Sequence, residues 1–96
     1  MIAREGSVLR VSGPLTIATV AALAEAGRQQ FGDGPPELMV DLAGASEVDS
    51  AALSLLLEWR REARRRNMRL SFRNLPQSLQ SLAALYGVSE FIAADA

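Results

Sequence analysis

A single small α/β domain, built on a mixed but mainly parallel sheet with helices packed on it, is the fold class that the sequence predicts. Three observations predict it. The chain has 96 residues, the length of one domain, so residues 1–96 are assigned to a single unit. Stretches of strand length alternate with stretches of helical period, and right-handed crossovers bring strands so connected side by side in parallel. A hydrophobic share of 49% beside 22% charged residues suits a chain that buries a modest core.

The elements follow in order. "SVLRVSG" at 7–13 has the β-branched content of a strand, and Gly13-Pro14 ends it. Thr16 suits the N-cap of a helix running to about residue 31, with Ile17, Val20, Ala24, Gly27 and Phe31 on one face. "GDGPP" at 32–36 breaks the chain. "ELMVDLAG" at 37–44 is mostly apolar, as expected of a strand covered on both faces at the centre of the core. A helix is predicted from 50 to about 66, then a half-buried strand in "MRLSFR", where Met68, Leu70 and Phe72 alternate with polar residues. Asn74 is placed to cap a last helix with Pro76 in its first turn, Gly87 at its end, and Leu75, Leu79, Leu82 and Tyr86 on its inner face.

Composition excludes much chemistry. The sequence has no Cys, no His and no Lys; all ten cations are arginine. Disulfides, thiol and imidazole nucleophiles, zinc sites of the usual type, and Schiff-base or P-loop lysines are therefore ruled out. Neither a metal nor a cofactor is expected. The charged N-terminus "MIAREGSVLR" does not read as a signal peptide, and no apolar run reaches the roughly 20 residues of a spanning helix. A cytoplasmic protein without direct membrane insertion is the expectation. Its net charge of −1 conceals an asymmetry, because residues 58–73 hold seven Arg against two acids.

On a helical wheel of the 50–66 segment, Ala52, Leu55, Leu56, Trp59 and Ala63 form a narrow stripe sufficient to pack on a sheet. Leu53 and Leu57 fall about 100° and 140° off that stripe, on the flank that also carries Ser50, Ser54 and Arg61. A neighbouring helix can absorb two such leucines, but two leucines beside a hydroxyl also describe a small protein-binding patch. Ser50 has two readings as well. As an N-cap its hydroxyl would accept a backbone amide bond worth about 1 kcal/mol; if Asp49 caps instead, the hydroxyl is free for contact or modification. A phosphate on it would meet the helix dipole favourably and repel Asp49, Glu47 and Asp41. Asp41 and Asp49 together suggest paired acids, for a hard-cation site or a phosphoaspartate receiver, but a receiver needs the lysine this chain lacks, and they read better as loop and cap residues near the end of a strand. The run "RREARRR" has no interleaved aromatic, so it reads as a solvated face or the rim for an acidic partner, with no nucleic acid expected.

With those residues in view, "LMVDLAGASEVDSAALSLLLEW" resembles the strand, loop and helix of the STAS domain family, the fold of bacterial anti-sigma factor antagonists, in which an Asp-Ser or Asp-Thr pair opens the helix. "NLPQSLQSLAALYGVSEFI" at 74–92 is similar to the end of the MlaB-like subgroup. Ser50 stands where that subgroup commonly has Thr, and Ala51 and Ala52 replace the usual small Gly-containing pair.

The resemblance implies a non-catalytic subunit that binds and sets the activity of the ATPase (MlaF-like) of an Mla-type ABC phospholipid transporter maintaining outer-membrane lipid asymmetry. Through that ATPase it would meet the permease, peripheral to the inner membrane. The partner-binding residues so implied are Asp49, Ser50, Leu53, Ser54, Leu57 and Arg61. The alternative is an anti-sigma factor antagonist whose partner, an anti-sigma serine kinase, phosphorylates Ser50. Catalytic residues are not expected, as no set of base, nucleophile and oxyanion donors can be named.

Overall fold

The computed structural model describes residues 1–32 and 36–92. Its elements run β1 (Ile2–Glu5), β2 (Val8–Leu15), α1 (Val20–Phe31), β3 (Glu37–Val48), α2 (Ser50–Arg65), β4 (Arg69–Arg73), α3 (Gln77–Leu85) and α4 (Ser89–Ile92). The four strands form one sheet in the order β1-β2-β3-β4, with β2, β3 and β4 parallel and β1 antiparallel to β2. The predicted mixed, mainly parallel sheet is thus present. Strand β1 is an addition to the predicted elements: its alternating "IARE" pairs with β2 across a two-residue turn, where Gly6 takes the φ of 60° that such short hairpins require.

Pleating gives the sheet two unlike faces. Leu9, Val40 and Phe72 stand in register across β2, β3 and β4 and are wholly buried. One residue further on, Arg10, Asp41 and Arg73 stand in register on the opposite face. β3 is therefore not the two-sided apolar strand that its composition predicts. Its buried residues are Leu38, Val40 and Leu42 on the core face, and Asp41 on the other. The predicted stripe of α2 is buried throughout, from Ala52 to Ala63, and packs on the core face.

Helix α1 packs along α2 at its glycine. A Cβ on Gly27 would lie 2.4 Å from the Trp59 indole, so only glycine admits this approach. Trp59 in turn donates its indole N–H to the Ala24 carbonyl at 3.3 Å and meets Phe31 edge to face at 6.4 Å. The start of α1 differs from the prediction. The Thr16 amide donates to Thr19 Oγ1 at 3.0 Å, and that hydroxyl donates to the Pro14 carbonyl at 2.8 Å. These local bonds hold residues 16–19 as a turn and delay the helix to Val20. Ile17 consequently leaves the predicted inner face and is 79% exposed, while Leu23 joins Gly27 and Phe31 inside.

The last helical stretch also differs. Gly87, at φ 72°, closes α3 through amide bonds from Gly87 to the Ala84 carbonyl and from Val88 to the Ala83 carbonyl. The chain then turns into α4. Asn74 does not cap α3; its side chain donates to Asp41 at 3.0 Å. Leu79 and Ala83 face the core, whereas Tyr86 is 58% exposed at the helix end instead of lying on the inner face. Among the described residues no helix is long and apolar enough to cross a membrane.

Two buried acids are held by arginine. Asp41 accepts from Asn74, from the Ala43 amide and from Arg73, and these bonds hold its pKa below the ordinary carboxylate range. Glu62 is held below its ordinary value by Arg66 and Arg65. A depressed carboxylate pKa adds stability above the unfolded-state value, near pH 4, that is lost as pH falls through the folded-state value. Urea midpoints are expected to be nearly level from about pH 7 to 5 and to fall below about pH 4, with a shallower fall in Asp41→Asn. Separately, Gly27→Ala is expected to destabilise the domain by about 1–3 kcal/mol, since the added methyl must displace the buried indole; urea unfolding followed by Trp59 fluorescence measures it.

Candidate functional site

The site forms where β3 hands over to α2. Asp49 leaves β3 in an extended conformation, φ −132°, and serves as the N-cap of α2. Its two carboxylate oxygens have separate tasks. Oδ1 accepts the Ala51 amide at 2.8 Å, which caps the helix; Oδ2 accepts the Ile17 amide at 3.1 Å, which ties the 16–19 turn to the helix start. The Asp49 amide adds a bond to the Leu15 carbonyl at 3.3 Å. Of the two capping assignments open in the sequence, Asp49 and not Ser50 is the cap.

Ser50 is therefore the first helical residue, exposed, and its hydroxyl has no hydrogen-bond partner among the described residues. Ser54 lies one turn on and is also exposed. Both border an open depression of about 680 Å³ whose apolar lining is Ile17, Val20, Leu53, Leu57, Tyr86 and Val88. Three separate stretches contribute: the turn before α1 with the first residue of that helix, the outer flank of α2, and the turn between α3 and α4.

The predicted partner-binding residues divide. Asp49, Ser50, Leu53, Ser54 and Leu57 all line the depression. Leu53, however, is a core residue at 5% exposure and forms the floor, not an outward anchor. The buried arc of α2 is wider than a sheet alone would cover, because α1, α3 and α4 also pack against it. Leu57 remains half-buried. Arg61 is exposed, bonded to Glu58 at 2.6 Å, and lies outside the depression, on the groove that adjoins it. Sequence periodicity missed Ile17, Tyr86 and Val88. The signals for them were the paired threonines around Ile17, which favour a turn, and the glycine directly after Tyr86, which ends the helix there.

Asp41 and Asp49 do not make a joint carboxylate site. Asp41 is committed to Arg73 at 3.1 Å and Arg10 at 3.6 Å, and Asp49 to two backbone amides. Among the described residues no group of three or more potential metal ligands occurs.

The family model described as "Mlab, STAS domain" matches residues 1–93. No curated protein matches the sequence. Among solved structures, the unphosphorylated form of the anti-sigma factor antagonist SpoIIAA is 17% identical with a TM-score of 0.67, over 88% of this chain and 81% of that one. The phosphorylated form of the Bacillus cell fate determinant SpoIIAA is 15% identical with a TM-score of 0.70, over 100% of this chain and 90% of that one. A sulfate transporter family protein from Wolinella succinogenes is 13% identical with a TM-score of 0.69, over 88% of this chain and 68% of that one. At such identities the likeness is one of fold.

The division of labour between neighbours in sequence can be measured. Asp49→Ala is expected to cost about 1 kcal/mol or more in urea unfolding, because it removes both the cap and the tie to Ile17, whereas Ser50→Ala is expected to change stability by less than about 0.5 kcal/mol.

Proposed function

The chain belongs to the STAS domain family, and from that premise we propose that it is a non-catalytic subunit that docks its Ser50 face on the ATPase of an Mla-type ABC phospholipid transporter. Docking stabilises the ATPase or sets its activity, which requires the domain to bind one state of the ATPase more tightly than another. The cytoplasmic side of the inner membrane, reached through the transporter, is where this reading places it.

One observation carries the reading: exposed apolar side chains from separate stretches surround an unbonded hydroxyl, on a backbone that hydrogen bonds already hold in place. Isolated exposed leucines are ordinary, but an isoleucine at 79% exposure and a tyrosine at 58% around one depression form a patch. Their mounts are rigid by construction, through Thr19, Asp49 and the closure at Gly87. A preorganised apolar patch loses little conformational entropy on binding, which favours protein association. The match to the Mlab-described family model over residues 1–93 supports the choice of partner.

Ser50 favours a second reading, an anti-sigma factor antagonist switched by phosphorylation. The hydroxyl is exposed and unbonded among the described residues, and a phosphate there would lie near the positive end of the α2 dipole. Incubation with a candidate anti-sigma kinase and ATP discriminates: a phosphate found on Ser50, and absent from Ser50→Ala, supports the antagonist over the transporter subunit.

Two substitutions test the docking face. Ile17→Asp is expected to leave the unfolding midpoint nearly unchanged, since the side chain is already in solvent, and to weaken co-purification with the ATPase at least about tenfold. Leu57→Asp is expected to do the same once circular dichroism shows a folded domain; unchanged ATPase binding in both would remove this face from the interface.

A further inference from the structure

A second groove continues from the Ser50 depression along α2 toward its C-terminal end. Leu57 and Val88 line both, and Phe91, Arg60, Arg61 and Arg64 complete the extension. Its floor is apolar and its wall is cationic. Most arginines in the domain are matched to an acid: Arg10 and Arg73 to Asp41, Arg28 to Glu25, Arg61 to Glu58, Arg65 and Arg66 to Glu62, and Arg69 to Glu37. Among the described residues only Arg4, Arg60 and Arg64 have no carboxylate within ion-pair distance, and two of these three stand on this groove. Arg60 is fixed in place, donating to the Phe91 carbonyl and lying 5.5 Å from the Phe72 ring centre. Arg64, by contrast, is exposed at the groove mouth, where Glu90 borders the same depression as Arg60 and Arg64 and the two arginines leave it net positive.

We infer that this extension receives an acidic amphipathic helix of the partner protein, whose apolar side chains lie on Leu57, Val88 and Phe91 and whose carboxylates face Arg64 and Arg60. The inference rests on the docking reading above and adds the chemistry of the partner segment. Ser50 to Arg64 spans about 21 Å of helix at 1.5 Å per residue, so a partner helix of about 14 residues laid alongside would touch both ends. The concave shape favours a peptide segment over a membrane surface. The opposite end carries Asp49 and exposed Glu47, so the surface runs from acidic to basic along α2 and specifies the direction in which a charged helix lies.

The test measures affinity of the full chain for the purified ATPase between about 50 and 500 mM NaCl, a range over which exposed charges pass from weakly to strongly screened. Arg64→Glu is expected to weaken binding about tenfold at the lowest salt and to flatten the salt dependence, while Arg64→Lys retains both. Arg64→Glu behaving as the parent while Leu57→Asp abolishes binding would overturn this inference and leave the docking reading intact. Failure of the unaltered chain to bind the ATPase would sink both. Binding to phosphatidylglycerol vesicles that Arg64→Glu removes, with ATPase affinity unchanged, would assign the groove to lipid and overturn the protein partner.

Discussion

The Asp49 carboxylate is the constraint on which the candidate functional face depends. One oxygen starts α2 and the other holds the turn before α1, so a single side chain fixes the relative positions of two elements that are not adjacent in sequence. Both bonds are charge-assisted, which strengthens them relative to neutral equivalents. Because Asp49 satisfies the helix start, Ser50 has no structural duty there. A helix needs one N-cap, and two hydroxyl or carboxyl residues in succession release one of them.

The face can be apolar and exposed because stability is built elsewhere. Leu9, Val40 and Phe72 form a wholly buried row across the sheet, and Trp59 locks α1 to α2 against Gly27. Ile17 and Tyr86 contribute little to that core, so their exposure costs the fold little. Leu53 has both roles: it is counted among the core residues and also floors the depression. For that reason its substitution would confound folding with the proposed docking, while Ile17→Asp would test that docking alone. On the opposite face, Asp41 gathers Arg10 and Arg73 into a row across three strands. With Glu5 also paired to Arg10 that row is balanced, and of the arginines without an ion-pair partner among the described residues two, Arg60 and Arg64, stand on the C-terminal half of α2.

The sequence made the architecture legible wherever burial follows a single period. The α2 stripe, the alternation in β4 and the parallel crossovers were all readable, because one face of each element meets one core. Legibility failed where local hydrogen bonds compete with the period. Thr16 and Thr19 hold a turn that the helical pattern hides, and Gly87 ends α3 just after Tyr86, so both apolar residues assigned to inner faces stand in solvent. β1 was missed because four alternating residues carry little signal without the partner strand. In the site, Ser50, Ser54 and Leu57 were readable from one helix wheel. Ile17, Tyr86 and Val88 were not, since they come from other stretches and only the tertiary fold brings them beside Ser50. Leu53 was misplaced for a related reason: a wheel shows which residues share a flank but not that neighbouring helices cover part of it.

The free hydroxyl also determines what a charge at this position could do. A phosphate on Ser50 would begin at a helix start whose first amides are partly committed: Ala51 donates to the Asp49 side chain and Ala52 to the Asp49 carbonyl. It would also stand next to that carboxylate, in a region where Glu47 is exposed and no arginine pairs with Asp49 among the described residues. Repulsion from Asp49 therefore directs the group outward, away from the cap. Asp41 adds nothing to this repulsion, because Arg73 and Arg10 already answer its charge. The added charge would then fall on the apolar patch and not on the bonds that hold the helix start, altering what can dock while leaving the fold intact. The same separation of cap from hydroxyl that leaves Ser50 exposed means that a modification there would act on the proposed association and not on stability.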